Sequence, residues 1–143
     1  MMQDDGDHKL EAVLARAQAA VADLARNFAE SAVGDLDRCA AFLKTAREQP
    51  DARAAGVKEI YGIAHNLKGQ GTSFGYPLIT RIGQSLCQLT RRDCAFSDAD
   101  LGIMQAHLDA IRLILAKDIK GDGGAVGDKL GARLETLVAQ ALR

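Results

Sequence analysis

Residues 58–75 read KEIYGIAHNLKGQGTSFG. Placed at about 100° per residue, Val57, Ile60, Ile63, Ala64, Leu67, Gly71 and Phe74 gather on one side. Apolar residues grouped at this period make one face of a buried helix. The spacing predicts a helix from Asp51 to Ser73, ended by Phe74, Gly75, Tyr76 and Pro77. Gly75 suits a left-handed cap, and Pro77 suits the first turn of the next helix. His65 falls roughly 120° from the middle of the apolar side by the same periodicity. It is therefore expected in solvent or at the edge of the core.

Residues three, four and seven positions from His65 share its surface patch. They are Lys58, Tyr61, Gly62, Lys68, Gly69 and Thr72. Glycine inside a helix costs about 0.5–1 kcal/mol relative to alanine, and two glycines flank this histidine. A helix built only for stability gains nothing from them. Their physical reading is clearance, so that another protein can bring its backbone close to the imidazole. Close approach of a second helix of the same chain is the structural alternative. Lys68 adds a mobile cation of the kind that binds phosphoryl groups. A free imidazole is partly neutral near physiological pH and can form a covalent intermediate. Phosphoryl transfer asks mainly for positioning and charge stabilisation.

Outward from this segment the chain continues to read as helix. Leu10, Val13, Leu14, Ala17, Val21, Leu24 and Phe28 form an apolar stripe, continued by Leu36, Cys39, Ala40 and Leu43. Two helices are expected there, with a break between Asn27 and Gly34. Beyond Pro77, Leu78, Ile79, Ile82, Leu86 and Leu89 mark a helix to Arg92. Ser97 and Asp100 suggest a capping box ahead of Leu101, Met104, Leu108, Ile111 and Leu115. Gly121, Asp122, Gly123 and Gly124 break the chain before a last amphipathic stretch. Met1 to Asp7 reads as a disordered end. No alternating run suggests a strand.

With 143 residues the chain suits one domain with its own core. Aromatics are 4% with no Trp, so that core must be aliphatic. The net charge of -1 carries no basic field toward nucleic acid. Cys39, Cys87 and Cys94 are scattered and odd in number, as in a reducing compartment, and lack zinc-ligand spacing. His8 and His107 read as solvated. Arg81, Arg91 and Arg92 read as a solvated face, with the minority reading that some of them meet an acidic partner. No apolar run is long enough for a membrane span, and the start does not resemble a signal peptide. A cytoplasmic monomer is expected, with no metal and no cofactor of its own.

Ala64-His65-Asn66-Leu67-Lys68-Gly69, followed by Phe74 and Gly75, resembles the histidine-containing phosphotransfer (HPt) family of two-component phosphorelays. Its pattern is H-x-L-K-G with a further glycine. The resemblance runs through Leu78, Ile79, Ile82, Gly83 and Leu86 and covers Asp51 to Arg92. It implies an all-α, antiparallel up-and-down four-helix bundle with additional N- and C-terminal helices. The bundle would occupy residues 29–120 of a single domain, 8–143, with accessory helices at 8–27 and 125–142. It implies phosphorylation of His65 at Nε2. Partners would be receiver domains of response regulators and of hybrid histidine kinases, which bring Mg²⁺. Lys68 would hold the phosphoryl group, and Gly69 would let the receiver approach. Lys58, Tyr61, Gly62 and Thr72 would line the docking surface. Many members carry a glutamine that hydrogen-bonds the active imidazole. Here Cys87 stands at that place, so the orienting role falls to Gln84 or Gln88.

Such a protein is a phosphocarrier rather than an autonomous kinase. A kinase dimerisation segment is the first alternative, but it expects an acidic residue after the histidine, where Asn66 stands. A scaffold bundle with an inert histidine is the second, and Gly62 and Gly69 weigh against it.

Overall fold

Pro50 and Pro77 each begin a helical turn, and the residues before them are forced out of the helix. Gln49 has φ -129° and Tyr76 φ -121°. The computed structural model describes residues 2–143, with side chains from Asp5 onward. Its helices are α1 (Met2–Glu48), α2 (Arg53–Gly71), α3 (Pro77–Thr90), α4 (Asp98–Ala116) and α5 (Gly124–Ala141). Short 3-10 turns, Pro50–Ala52 and Thr72–Phe74, precede α2 and follow it. The described residues are all-helical, with no strand. None of these helices is long and apolar enough to cross a membrane.

The connections are tight because each is chemically specified. Gly75 takes φ 91°, and its N–H donates to the Thr72 carbonyl, closing the turn after α2. At the start of α4, Ser97 and Asp100 form the expected capping box. The Asp100 N–H donates to Ser97 Oγ at 3.1 Å, and the Ser97 N–H donates to Asp100 Oδ2 at 3.0 Å. Ahead of α5, Gly123 has φ 78° and the Asp122 carboxylate accepts from the Gly124 N–H.

The helices bury one aliphatic core. Leu36 and Leu43 enter it from α1, Ile60 and Leu67 from α2, Ile79, Ile82 and Leu86 from α3, and Leu101, Met104 and Ile111 from α4. Each such side chain is worth about 1.5–3 kcal/mol. α2 packs between α1 and α3, α4 packs on α1 and α3, and α5 rests on α3 and α4. Arg81 of α3 ties α5 down through Asp128 at 2.8 Å and Glu135 at 2.7 Å. Gly131 of α5 makes room for that guanidinium, since a Cβ there would sit 2.7 Å from it.

Two expectations about the N-terminal region are corrected. α1 is continuous through Asn27–Gly34, where a break was expected. One exposed glycine, Gly34, costs about 1 kcal/mol. The face formed by Phe28, Ala32, Leu36 and Cys39 is buried on both sides of it and outweighs that cost. There is thus no separate accessory helix at 8–27. The second correction is that residues 2–7 belong to α1 rather than to a disordered end. Met1 lies outside the described residues.

Candidate functional site

α2 presents two faces. Val57, Ile60, Ile63, Ala64, Leu67 and Gly71 are buried, and Phe74 beyond its end is half-buried. On the other face His65 is exposed, with Lys58, Gly62, Gly69 and Thr72 around it. Tyr61 is half-buried, and its ring lies 6.1 Å from the imidazole between centroids.

The two glycines beside His65 stand in open space. A Cβ built on Gly62 or on Gly69 meets nothing within 4 Å. Internal packing therefore does not demand glycine at either position, which removes the structural alternative. Gly83 and Gly71 behave in the opposite way. A Cβ on Gly83 would fall 3.1 Å from the Lys68 nitrogen and 3.2 Å from its Cα. Gly83 thus lets α3 come against α2 at the turn that carries Lys68. A Cβ on Gly71 would strike Thr80 Oγ1 at 2.6 Å. These two glycines seat the helix pair beneath the patch; a lone glycine on an apolar stripe is the only sequence signal for such a role.

Lys68 is half-buried on the α3 side of the patch. It is close enough to Cys87 to act on its thiol. Burial raises the Cys87 pKa, and the Lys68 charge pulls it partly back. Cys87 is buried. Gln84 and Gln88 are half-buried. Among the described residues neither hydrogen-bonds the His65 ring, and Gln84 Oε1 is buried with no partner. Thr72 is at the patch, but its hydroxyl and N–H are both engaged by Thr80 Oγ1, at 2.9 and 2.8 Å.

Two hollows adjoin the patch. One is lined by Arg38, Glu59, Tyr61, Gly62, His65 and Asn66. It brings in Arg38 of α1, which no local spacing in the sequence could have joined to His65. The other runs between α2 and the end of α3, with Val57, Tyr61 and Phe96 among its walls and Lys58 and Arg91 also lining it. Arg91 is exposed there. Arg81 is bound to α5. Arg92 is engaged by the Leu89 and Ala141 carbonyls and by Asp100. Arg92 lines the same hollow, and of the three arginines Arg91 alone is exposed.

His107, expected in solvent, is fully buried. Its Nδ1 is 2.7 Å from the Ile103 carbonyl and its Nε2 is 2.9 Å from Ser85 Oγ. The neutral ring satisfies both, donating from Nδ1 and accepting at Nε2. Burial lowers its pKa against the opposing effect of the carbonyl. Among the described residues no cluster of His, Cys, Asp and Glu is placed to hold a metal. No family model, curated protein or solved structure matches the chain.

Proposed function

We propose that the chain is a histidine phosphotransfer protein. His65 accepts a phosphoryl group from the aspartyl phosphate of a receiver domain and yields it to a response-regulator aspartate, or returns it. The observation that carries this reading is an exposed imidazole between two helical glycines whose surroundings are empty. Helix stability disfavours both glycines, and the interior has no use for them. An incoming protein surface does.

In the transfer, the Nε2 lone pair of a neutral His65 attacks phosphorus as the bond from phosphorus to the aspartyl oxygen breaks. The aspartate leaves as a carboxylate. Nδ1 keeps its hydrogen, so the imidazole carries the phosphoryl group without a general base of its own. Lys68, three residues after His65 and half-buried, would supply the ammonium that balances phosphoryl charge. Mg²⁺ belongs to the receiver. The hollow between α2 and the end of α3 has an apolar floor of Val57, Tyr61 and Phe96, and on its walls Lys58, Arg91 and Arg92 outnumber Asp93, a net cationic face for the acidic edge of such a domain. The packing order of the helices supports the matching architecture. α1 from Phe28 onward, α2, α3 and α4 contact one another in a closed circuit, read here as an up-and-down four-helix bundle with α5 added outside. A cytoplasmic relay is the setting this reading implies.

A phosphorylated receiver should label the wild-type chain with acid-labile, alkali-stable phosphate. His65→Gln should carry none while keeping its far-UV dichroism. Undiminished labelling of His65→Gln would refute the assignment and leave the scaffold reading in its place.

A further inference from the structure

Ahead of Ala22, α1 leaves the rest of the molecule, and from there to Phe28 it only skirts the bundle's end, where Ala22 shares a hollow with Tyr76 and Leu115, and Leu24 one with Leu67 and Phe74. From Asp5 to Leu24 every side chain is exposed, and Leu10, Val13, Leu14, Val21 and Leu24 are 54–67% exposed. A helix of this length draws little stability from its own backbone in water, so such an arm gains most from a surface to pack on. Its sequence specifies the kind. Leu10, Leu14, Ala17, Val21, Leu24 and Phe28 follow at steps of four, three, four, three and four residues. That is the 3.5-residue repeat with which one helix lies along another. The acidic residues Asp5, Asp7 and Glu11 at its start oppose an anionic lipid surface.

We propose that the arm pairs with the same arm of a second copy of this chain, antiparallel, giving a dimer with its two bundles at opposite ends. The inference is independent of what His65 does, and it replaces the monomer expected from sequence.

Orientation follows from sterics. The stripe that is bare up to Leu24 continues as Phe28, Ala32, Leu36 and Cys39, all buried within the chain's own core. Phe28 stacks on Phe74 with centroids 5.0 Å apart and closes that end of the bundle. A parallel partner following the same seam would run its bundle into this one. An antiparallel arm ends where the bundle begins. The Leu10–Leu14 end of each arm then meets the Val21–Leu24 end of the other, and the small Ala17 side chains lie near the middle.

Charge agrees with this pairing. Among the positions that fill or flank the seam between Leu10 and Asn27, Glu11 is the single charged residue. In the antiparallel arrangement it falls toward Ala25 of the partner subunit, so no like charges meet along the seam. Lys9, Arg16 and Asp23 follow at steps of seven and so share one position at the outer edge, where water screens them, and Asp23 is paired there with Arg26 of its own chain.

Sedimentation equilibrium of the full chain at tens of micromolar should give twice the 15.2 kDa chain mass. The double variant Leu14→Glu, Val21→Glu should give the single mass with the helical signal of the bundle retained. For orientation, a Cys94→Ser background leaves only the buried Cys39 and Cys87. In it, a chain with Leu10→Cys and one with Leu24→Cys should be joined to each other by a short bismaleimide. Neither should be joined efficiently to its own kind. A single-chain mass for the wild type overturns the proposal, and so does a double mass that the glutamates leave unchanged. Self-linking of the Leu10→Cys chain overturns the antiparallel arrangement. Flotation of a single-mass wild type with anionic phosphatidylglycerol vesicles would assign the arm to lipid instead.

Discussion

His65 and His107 show how one side-chain type is put to opposite uses by its surroundings. His65 stands in solvent with no hydrogen bond to its ring among the described residues, free to meet a partner. His107 is sealed between α3 and α4 and held neutral by burial, with its two ring nitrogens engaged by Ser85 and the Ile103 carbonyl. A buried histidine whose folded pKa is lowered contributes nothing while both states are neutral. Below the unfolded value, near 6.5, the unfolded chain takes up a proton that the folded chain resists, so stability falls with pH. Between pH 7.5 and 5.5 the wild type should lose on the order of 1 kcal/mol more than His107→Gln. Urea unfolding of both proteins at the two pH values measures the difference, and parallel losses would contradict it. The exposure of His65 was legible because its distance from the apolar side follows from periodicity alone. The burial of His107 was legible too, in principle. It lies three residues after Met104 and four before Ile111, on the inner stripe of α4. Its polarity hid that position, and its polar partner, Ser85, comes from another helix.

At the scale of the element, the glycines of α2 and α3 divide by what lies above them. Gly69 faces open space, so Gly69→Ala should stabilise the chain by about 0.5–1 kcal/mol. Gly83 faces the backbone of Lys68, which has no flexible end to move aside. Gly83→Ala should destabilise by about 1–3 kcal/mol, as overpacking does. Thermal or urea unfolding of the two variants tests both signs, and equal shifts would mean that the α2–α3 spacing is not set by Gly83. Under the phosphotransfer reading, Gly69→Leu should also slow labelling of His65 far more than it alters stability. The course of α2, its end at Gly75 and the cap of α4 were all readable, because each rests on local chemistry. The continuity of α1 was not. Asn27, Ser31 and Gly34 are weak helix formers, and the burial of Phe28, Ala32 and Leu36 by other helices holds the segment straight. The seat of α5 was equally hidden, since it depends on Arg81 meeting Asp128 and Glu135 across 47 and 54 residues of chain.

For the whole molecule, the division that matters falls inside one helix. α1 is 47 residues long, or roughly 70 Å at 1.5 Å per residue. Its second half belongs to the core, and its first half adds no buried side chain to it. Sequence could not place that boundary, because the apolar stripe passes through it unchanged. Coordinates place it at Phe28, whose ring meets Phe74 and Tyr76. If the core begins there, the bundle should not need the arm in order to fold. Removal of residues 1–22, measured in dilute solution where pairing of copies contributes nothing, should shift unfolding stability by less than about 0.5 kcal/mol. The urea dependence should also barely change, since it follows the surface exposed on unfolding and the arm is already exposed. Labelling of His65 by a receiver should proceed at the wild-type rate, because no residue around His65 comes from before Phe28. A large loss of stability would mean that the arm nucleates or braces the bundle, so that its exposed leucines serve the fold of one chain. Slower labelling with intact stability would place the arm in the docking of the receiver. Neither change is expected from a segment that buries no side chain in the bundle and, by our inference, pairs with another copy of itself.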